Sequence, residues 1–131
     1  MKTSLYHSHA IEVRMSSVHG YGVFATRDIA KGEIIEECYY LRLGTKWKNT
    51  DEALKDYVFM WSSHMPEASA VVLGNGMIYN HSDDPNVGYK QSLKDKVFKF
   101  LTINDVNKEE ELLISYGTDS YAIQRIKKGL T

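Results

Sequence analysis

The chain is poor in the features that mark several broad classes of protein. It holds one cysteine, Cys38, so neither an intrachain disulfide nor a cysteine-rich zinc cluster can form. Only two prolines occur, Pro66 and Pro85, and no repeat or low-complexity segment interrupts the sequence. No apolar run approaches the length that spans a bilayer, and the start lacks the apolar core of a secretory signal. Charge of either sign is not in excess: 16 basic against 17 acidic residues give a net charge of −1. No global field therefore points to direct contact with nucleic acid or to an anionic membrane. Together these absences predict an intracellular protein, although one exported without a cleaved signal would have the same composition.

What is present fits one soluble globular domain. The length is 131 residues, with 43% hydrophobic and 25% charged, enough to bury a core. The first nine residues are polar, so the expected division is a flexible N-terminus at 1–9 and a single domain at 10–131. Short runs rich in Val, Ile, Phe and Tyr predict strands at 11–13, 23–26, 34–41, 70–73, 77–79, 97–103 and 112–115. Lys31-Gly32 and Gly74-Asn75-Gly76 read as turns. One segment departs from this pattern. After Asn49 as a capping residue and Glu52 three positions on, Leu54, Tyr57, Val58 and Trp61 recur at helical spacing, which predicts a helix of about three turns. A second short helical stretch is expected around 121–127. The expected class is mostly β, an α+β domain with one main helix.

Three short segments carry the chemistry. Gly20-Tyr21-Gly22 sets glycines on both sides of an aromatic, which lets backbone approach a ligand while the ring covers it. It is not a dinucleotide fingerprint, because Ala25 stands where the last glycine would be required. Tyr79-Asn80-His81-Ser82-Asp83-Asp84-Pro85-Asn86 follows a run of strand-forming residues; read alone it is a polar turn with local side-chain bonds. Glu110-Glu111-Leu112-Leu113-Ile114-Ser115-Tyr116-Gly117 ends a strand on a tyrosine, by default half-buried packing. Other readings are weaker. His7 and His9 lack cysteine partners and no helical His-Glu-x-x-His exists, so no metal is expected. Cys38 lies in an apolar run and reads as a small core residue rather than a nucleophile. Phe98, Phe100, Trp47 and Trp61 read as core rather than as a base-stacking platform.

In this order and at this spacing the three segments resemble the signature of a SET-domain protein-lysine methyltransferase, most of all the minimal stand-alone SET proteins of large DNA viruses and bacteria. The resemblance implies a SET fold of short strands in several small sheets, closed by a C-terminal pseudoknot. It implies S-adenosylmethionine as cofactor, held by Gly20, Tyr21, Gly22, Asn80 and His81, and Tyr116 as the catalytic tyrosine. Tyr57, Tyr116 and Tyr121 would line the substrate lysine channel. Ser115 stands where the family often has aspartate, but the tyrosine and glycine after it are kept. The implied substrate is a lysine on a basic protein tail, a histone above all, with a ribosomal or other non-histone protein as the alternative. A histone substrate implies a nuclear or host-nuclear location, and another substrate a cytoplasmic one. Self-association as a homodimer is implied as well. The competing reading is a SET-fold module that binds peptide without transferring methyl groups; retention of Tyr116 and Asn80 argues against it.

Overall fold

A computed structural model describes residues 2–62 and 65–116. Among these residues strands dominate and form two sheets. In the first, β1 (Ile11–Met15) and β2 (Tyr21–Ala25) make a hairpin, continued by β9 (Glu111–Ile114) and β6 (Asn80–His81) in the order β1-β2-β9-β6. In the second, β4 (Phe59–Ser62), β5 (Met65–Val72), β3 (Ile34–Lys46), β8 (Val97–Thr102) and β7 (Val87–Ser92) stand in the order β4-β5-β3-β8-β7. All pairings are antiparallel except β6 with β9. That parallel pair joins the second and third motifs, setting Asn80 beside Leu113 and His81 beside Ile114.

The core lies between the sheets. Ile35, Val72, Tyr79, Phe100, Leu112 and Ile114 are all fully buried. The Tyr79 ring stacks on Phe100 with centroids 4.7 Å apart. Phe59 packs against Phe98 and Tyr89 at 5.2 and 5.1 Å. Trp61 packs on this core, whereas Trp47 is half-buried with the Lys55 ammonium 5.0 Å from its ring centroid. Ahead of β1, Tyr6 and Ser8 are tied to β3 through the Glu37 N–H donating to the Tyr6 carbonyl and the Ser8 N–H donating to the Ile35 carbonyl. No helix among the described residues is long and apolar enough to cross a membrane.

The helix differs from expectation. α1 spans Glu52–Lys55, one turn rather than three, and its cap is Asp51, whose side chain accepts from the Ala53 N–H at 2.9 Å. A 3-10 turn, Trp47–Asn49, precedes it. Beyond Asp56 the chain turns into β4, where Phe59 pairs with Ala70 and Met60 with Ser69. Aromatic residues that pack on a sheet outweigh a helical spacing that arose by coincidence. The strand expected at 77–79 is likewise a turn: Gly74 adopts φ +64, and the Ile78 N–H donates to the Asn75 carbonyl. β7 was not expected, because Gly88, Lys90 and Gln91 mask the alternation of Val87 and Tyr89. The segment 82–86 runs beside β9, with the Ser82 N–H donating to the Ile114 carbonyl and Asn86 N–H to the Leu113 carbonyl. The chain beyond Tyr116, on which the expected C-terminal pseudoknot and second helical stretch would fall, lies outside the described residues.

Candidate active site

Parallel pairing of β6 with β9 brings the second and third motifs side by side, and β2 on the other edge of β9 adds the first. Asn80 sits where they meet and is buried at 4% exposure. Its amide Nδ2 lies 2.9 Å from the His19 carbonyl, 3.1 Å from the Tyr21 carbonyl and 2.8 Å from Glu111 Oε2. Two N–H bonds are thus shared among three acceptors. The carbonyls flank Gly20, so Asn80 clasps the glycine segment onto the sheet. Glu111 completes the clasp, its other oxygen accepting from the Ser16 hydroxyl at 2.6 Å.

Both glycines are required, for different reasons. Gly20 has φ +50, a conformation that a side chain disfavours, and its carbonyl accepts from the Ser16 N–H at 2.7 Å. At Gly22 a Cβ would stand 2.2 Å from Glu111 Oε2 and 3.0 Å from Asn80 Nδ2. The clasp closes only because that side chain is missing. Tyr21 between them is 65% exposed, leaving its ring free to cover a ligand.

His81 positions the tyrosine segment. Its Nδ1 accepts from the Tyr116 N–H at 3.0 Å, which leaves Nε2 to donate to Asp83, 2.8 Å away. The His81 and Tyr116 rings lie 5.2 Å apart. The Tyr116 hydroxyl donates to the Tyr79 carbonyl at 2.7 Å. Burial pushes the Tyr116 phenol above its ordinary range, and Tyr57, Glu111 and Asp56 push it the same way. Tyr57 lies just past the C-cap of α1 and is 42% exposed. Tyr121 and Gly117 lie outside the described residues.

Asn86, Glu111, Tyr79 and Glu36 were not singled out as site residues from sequence, though the first three fall within the quoted motifs. Asn86 substitutes for a strand: its Oδ1 accepts from the Leu113 N–H at 2.7 Å and its Nδ2 donates to the Glu111 carbonyl at 2.9 Å. Their membership of the motifs was the signal available. For Glu36 there was none.

The Tyr79 carbonyl accepts from Tyr116 and the Tyr21 carbonyl from Asn80. Among the described residues no group of three or more His, Cys, Asp and Glu is arranged to hold a metal ion.

Comparison with known proteins agrees with the geometry. The SET domain family matches residues 20–117. The H3 lysine-37 specific histone-lysine N-methyltransferase of Schizosaccharomyces pombe is 29% identical over 110 residues, which cover 82% of this chain and 73% of that protein. A Plasmodium falciparum crystal structure, of a protein proposed to be a histone methyltransferase, is 31% identical with a TM-score of 0.68, covering 86% of this chain and 96% of that one. A humanized mutant of the Chaetomium thermophilum Polycomb Repressive Complex 2 shares the fold at 23% identity and a TM-score of 0.67, over 88% of this chain and 16% of that one. From the matched region and the three motifs it contains, this chain belongs to the SET-domain family of protein-lysine methyltransferases.

Proposed function

We propose that this protein methylates the ε-amine of a lysine on a basic protein tail, a histone above all, with S-adenosylmethionine as methyl donor. The observation that carries the reading is the clasp at Asn80, which fastens the 19–22 segment beside the β9 end that bears Tyr116. Glycine-permitted main chain at Gly20 and Gly22, the Tyr21 ring, Asn80 and His81 would hold the cofactor. Bound there, S-adenosylmethionine supplies an activated methyl group.

The chain's own residues supply position and a dry, polar surround rather than covalent chemistry. Tyr116 is the catalytic residue of this reading. Burial keeps its phenol protonated, so it orients the substrate amine by hydrogen bonding and does not remove its proton. Tyr57 would line the lysine channel together with Tyr116, and Tyr121 is proposed as a third wall. Tyrosine faces accept the apolar lysine stem and tolerate a cation. A neutral amine is needed for attack, and desolvation favours that neutral form.

Asp83 and Asp84 support a basic substrate. Both are exposed on the segment after His81, where they would meet Lys or Arg beside the target lysine. The relatives from S. pombe and P. falciparum make a histone the first substrate to test. A histone substrate would place the enzyme in a nucleus, its own cell's or a host's, and any other substrate would place it in the cytoplasm. Self-association belongs to the same proposal, supported by Val13 and Met15, exposed at 41% and 81% on the terminal strand β1; light scattering tests it. The substrate is tested by transfer of labelled methyl groups to histones and to a cell extract, with methylation at a lysine as the expected result. Binding of peptide without transfer would instead support a non-catalytic module.

A further inference from the structure

Glu36 is a buried carboxylate that the reaction outlined above does not use. It is 2% exposed in the first half of β3. Its Oε1 accepts from the Tyr79 hydroxyl at 2.6 Å, and its Oε2 accepts from the Asn75 N–H at 3.1 Å. The turn is shaped around it, since a Cβ on Gly74 would stand 2.9 Å from Oε2. The buried Cys38 thiol feels the same carboxylate: burial first, then Glu36, pushes it up. A buried polar group is costly unless its oxygens are occupied in this way.

Tyr79 connects this carboxylate to the site. Its ring is wholly buried against Phe100 with its hydroxyl on Glu36. Its carbonyl faces the opposite way in function, accepting from the Tyr116 hydroxyl at 2.7 Å. The next residue is Asn80. A side chain fixed at ring and hydroxyl has little freedom to let its own main chain drift, and a hydrogen-bond acceptor displaced by a fraction of an ångström changes where the donor points. Apolar packing alone would hold the ring but not its rotation and depth.

We infer that Glu36 and Tyr79 are positioning residues for methyl transfer: the buried Glu36–Tyr79 bond fixes the Tyr79 carbonyl, which in turn aims the Tyr116 hydroxyl. This rests on the assignment of Tyr116 made above. Neither residue touches the reacting atoms. Their effect is on the step that depends on the aim of Tyr116, not on affinity for the cofactor.

The experiment compares wild type, Tyr79→Phe and the double variant Glu36→Leu/Tyr79→Phe. The single change leaves Glu36 short of a donor and can lower stability by that route. The double change removes that donor and its acceptor together; the Asn75 N–H it also releases lies in a half-buried turn, so a folded protein without the Glu36–Tyr79 bond is available for measurement. Expected for the double variant is a kcat about tenfold or more below wild type, with KM and S-adenosylhomocysteine affinity within about threefold. Its crystal structure should show the Tyr116 hydroxyl no longer bonded to the Tyr79 carbonyl. A kcat within about twofold of wild type, or an equal loss of cofactor affinity, overturns the inference. So does an unchanged Tyr116–Tyr79 bond, a reading that needs no activity. An inactive wild type would instead contradict the methyltransferase proposal, and the crystallographic comparison would still decide this one.

Discussion

Tyr116 donates its hydroxyl to the Tyr79 carbonyl, 2.7 Å away, while its own N–H is held by the His81 imidazole at 3.0 Å. Two contacts from neighbouring positions of one short strand region thus fix both ends of the residue proposed to meet the substrate amine. Replacing Tyr116 by Phe removes the first contact and keeps the second. Transfer should fall by about 100-fold or more while S-adenosylhomocysteine affinity changes by less than about threefold, since losing an interaction with the reacting amine made only in the transition state lowers kcat. Steady-state kinetics and calorimetry on the same preparation check this.

Asn80→Ala should act on binding instead. It strips donors from the His19 and Tyr21 carbonyls and from Glu111, a cost of about 1–3 kcal/mol when such groups stay buried. The 19–22 segment then loses its anchor, and cofactor affinity should drop about tenfold or more. Asn80→Asp should be worse than Ala, because a carboxylate would face Glu111 and two carbonyls. Melting curves and calorimetry that rank Asp above Ala would contradict this account of the clasp.

The two glycines should fail differently. Gly22→Ala drives a Cβ into Glu111 and Asn80, opening the clasp and weakening both stability and cofactor binding. Gly20→Ala meets nothing within 4 Å, so its cost is conformational, about 1–2 kcal/mol for a side chain at positive φ. Adding Glu111→Ala should recover stability lost at Gly22→Ala and recover none lost at Gly20→Ala. Chemical denaturation of the four variants checks the difference.

Stability should fall on the alkaline side. Burial raises the Cys38 thiol and the Tyr79 phenol well above their ordinary values of 9.0 and 10.0, and Glu36 beside both raises them further. Groups with raised folded values contribute stability that is complete below the unfolded value and lost as pH climbs toward the folded one. From about pH 9 upward the unfolded chain releases protons that the native chain retains, at up to about 1.4 kcal/mol per pH unit for each such group. Melting temperature should therefore decline from about pH 9, and less steeply in the Glu36→Leu/Tyr79→Phe variant. A flat profile to pH 11 would contradict the buried network.

Much of the candidate site was legible in the sequence, and less of the fold. Gly20, Gly22, Asn80, His81 and Tyr116 are short-range motif residues whose types survive any reading of secondary structure, and the pairing of β9 with β6 on one side and β2 on the other sets their segments side by side. Strands β1, β2, β3, β5, β8 and β9 announced themselves by Val, Ile and Phe runs. The helix did not. Leu54, Tyr57, Val58 and Trp61 satisfy helical spacing, but Phe59 and Trp61 gain more from packing on β5 and the aromatic core, a gain that depends on residues far along the chain. Glu36 and Tyr79 show the same limit of local pattern. They sit 43 positions apart, and nothing near either one signals the other.

The most direct test is mass spectrometry of histones incubated with the purified protein and S-adenosylmethionine, beside a Tyr116→Phe control. The account predicts methyl-lysine on a basic tail with wild-type protein, reduced by about 100-fold or more in the control. Absence of methyl-lysine from histones and from a whole-cell protein extract alike, or equal methylation by Tyr116→Phe, would contradict it.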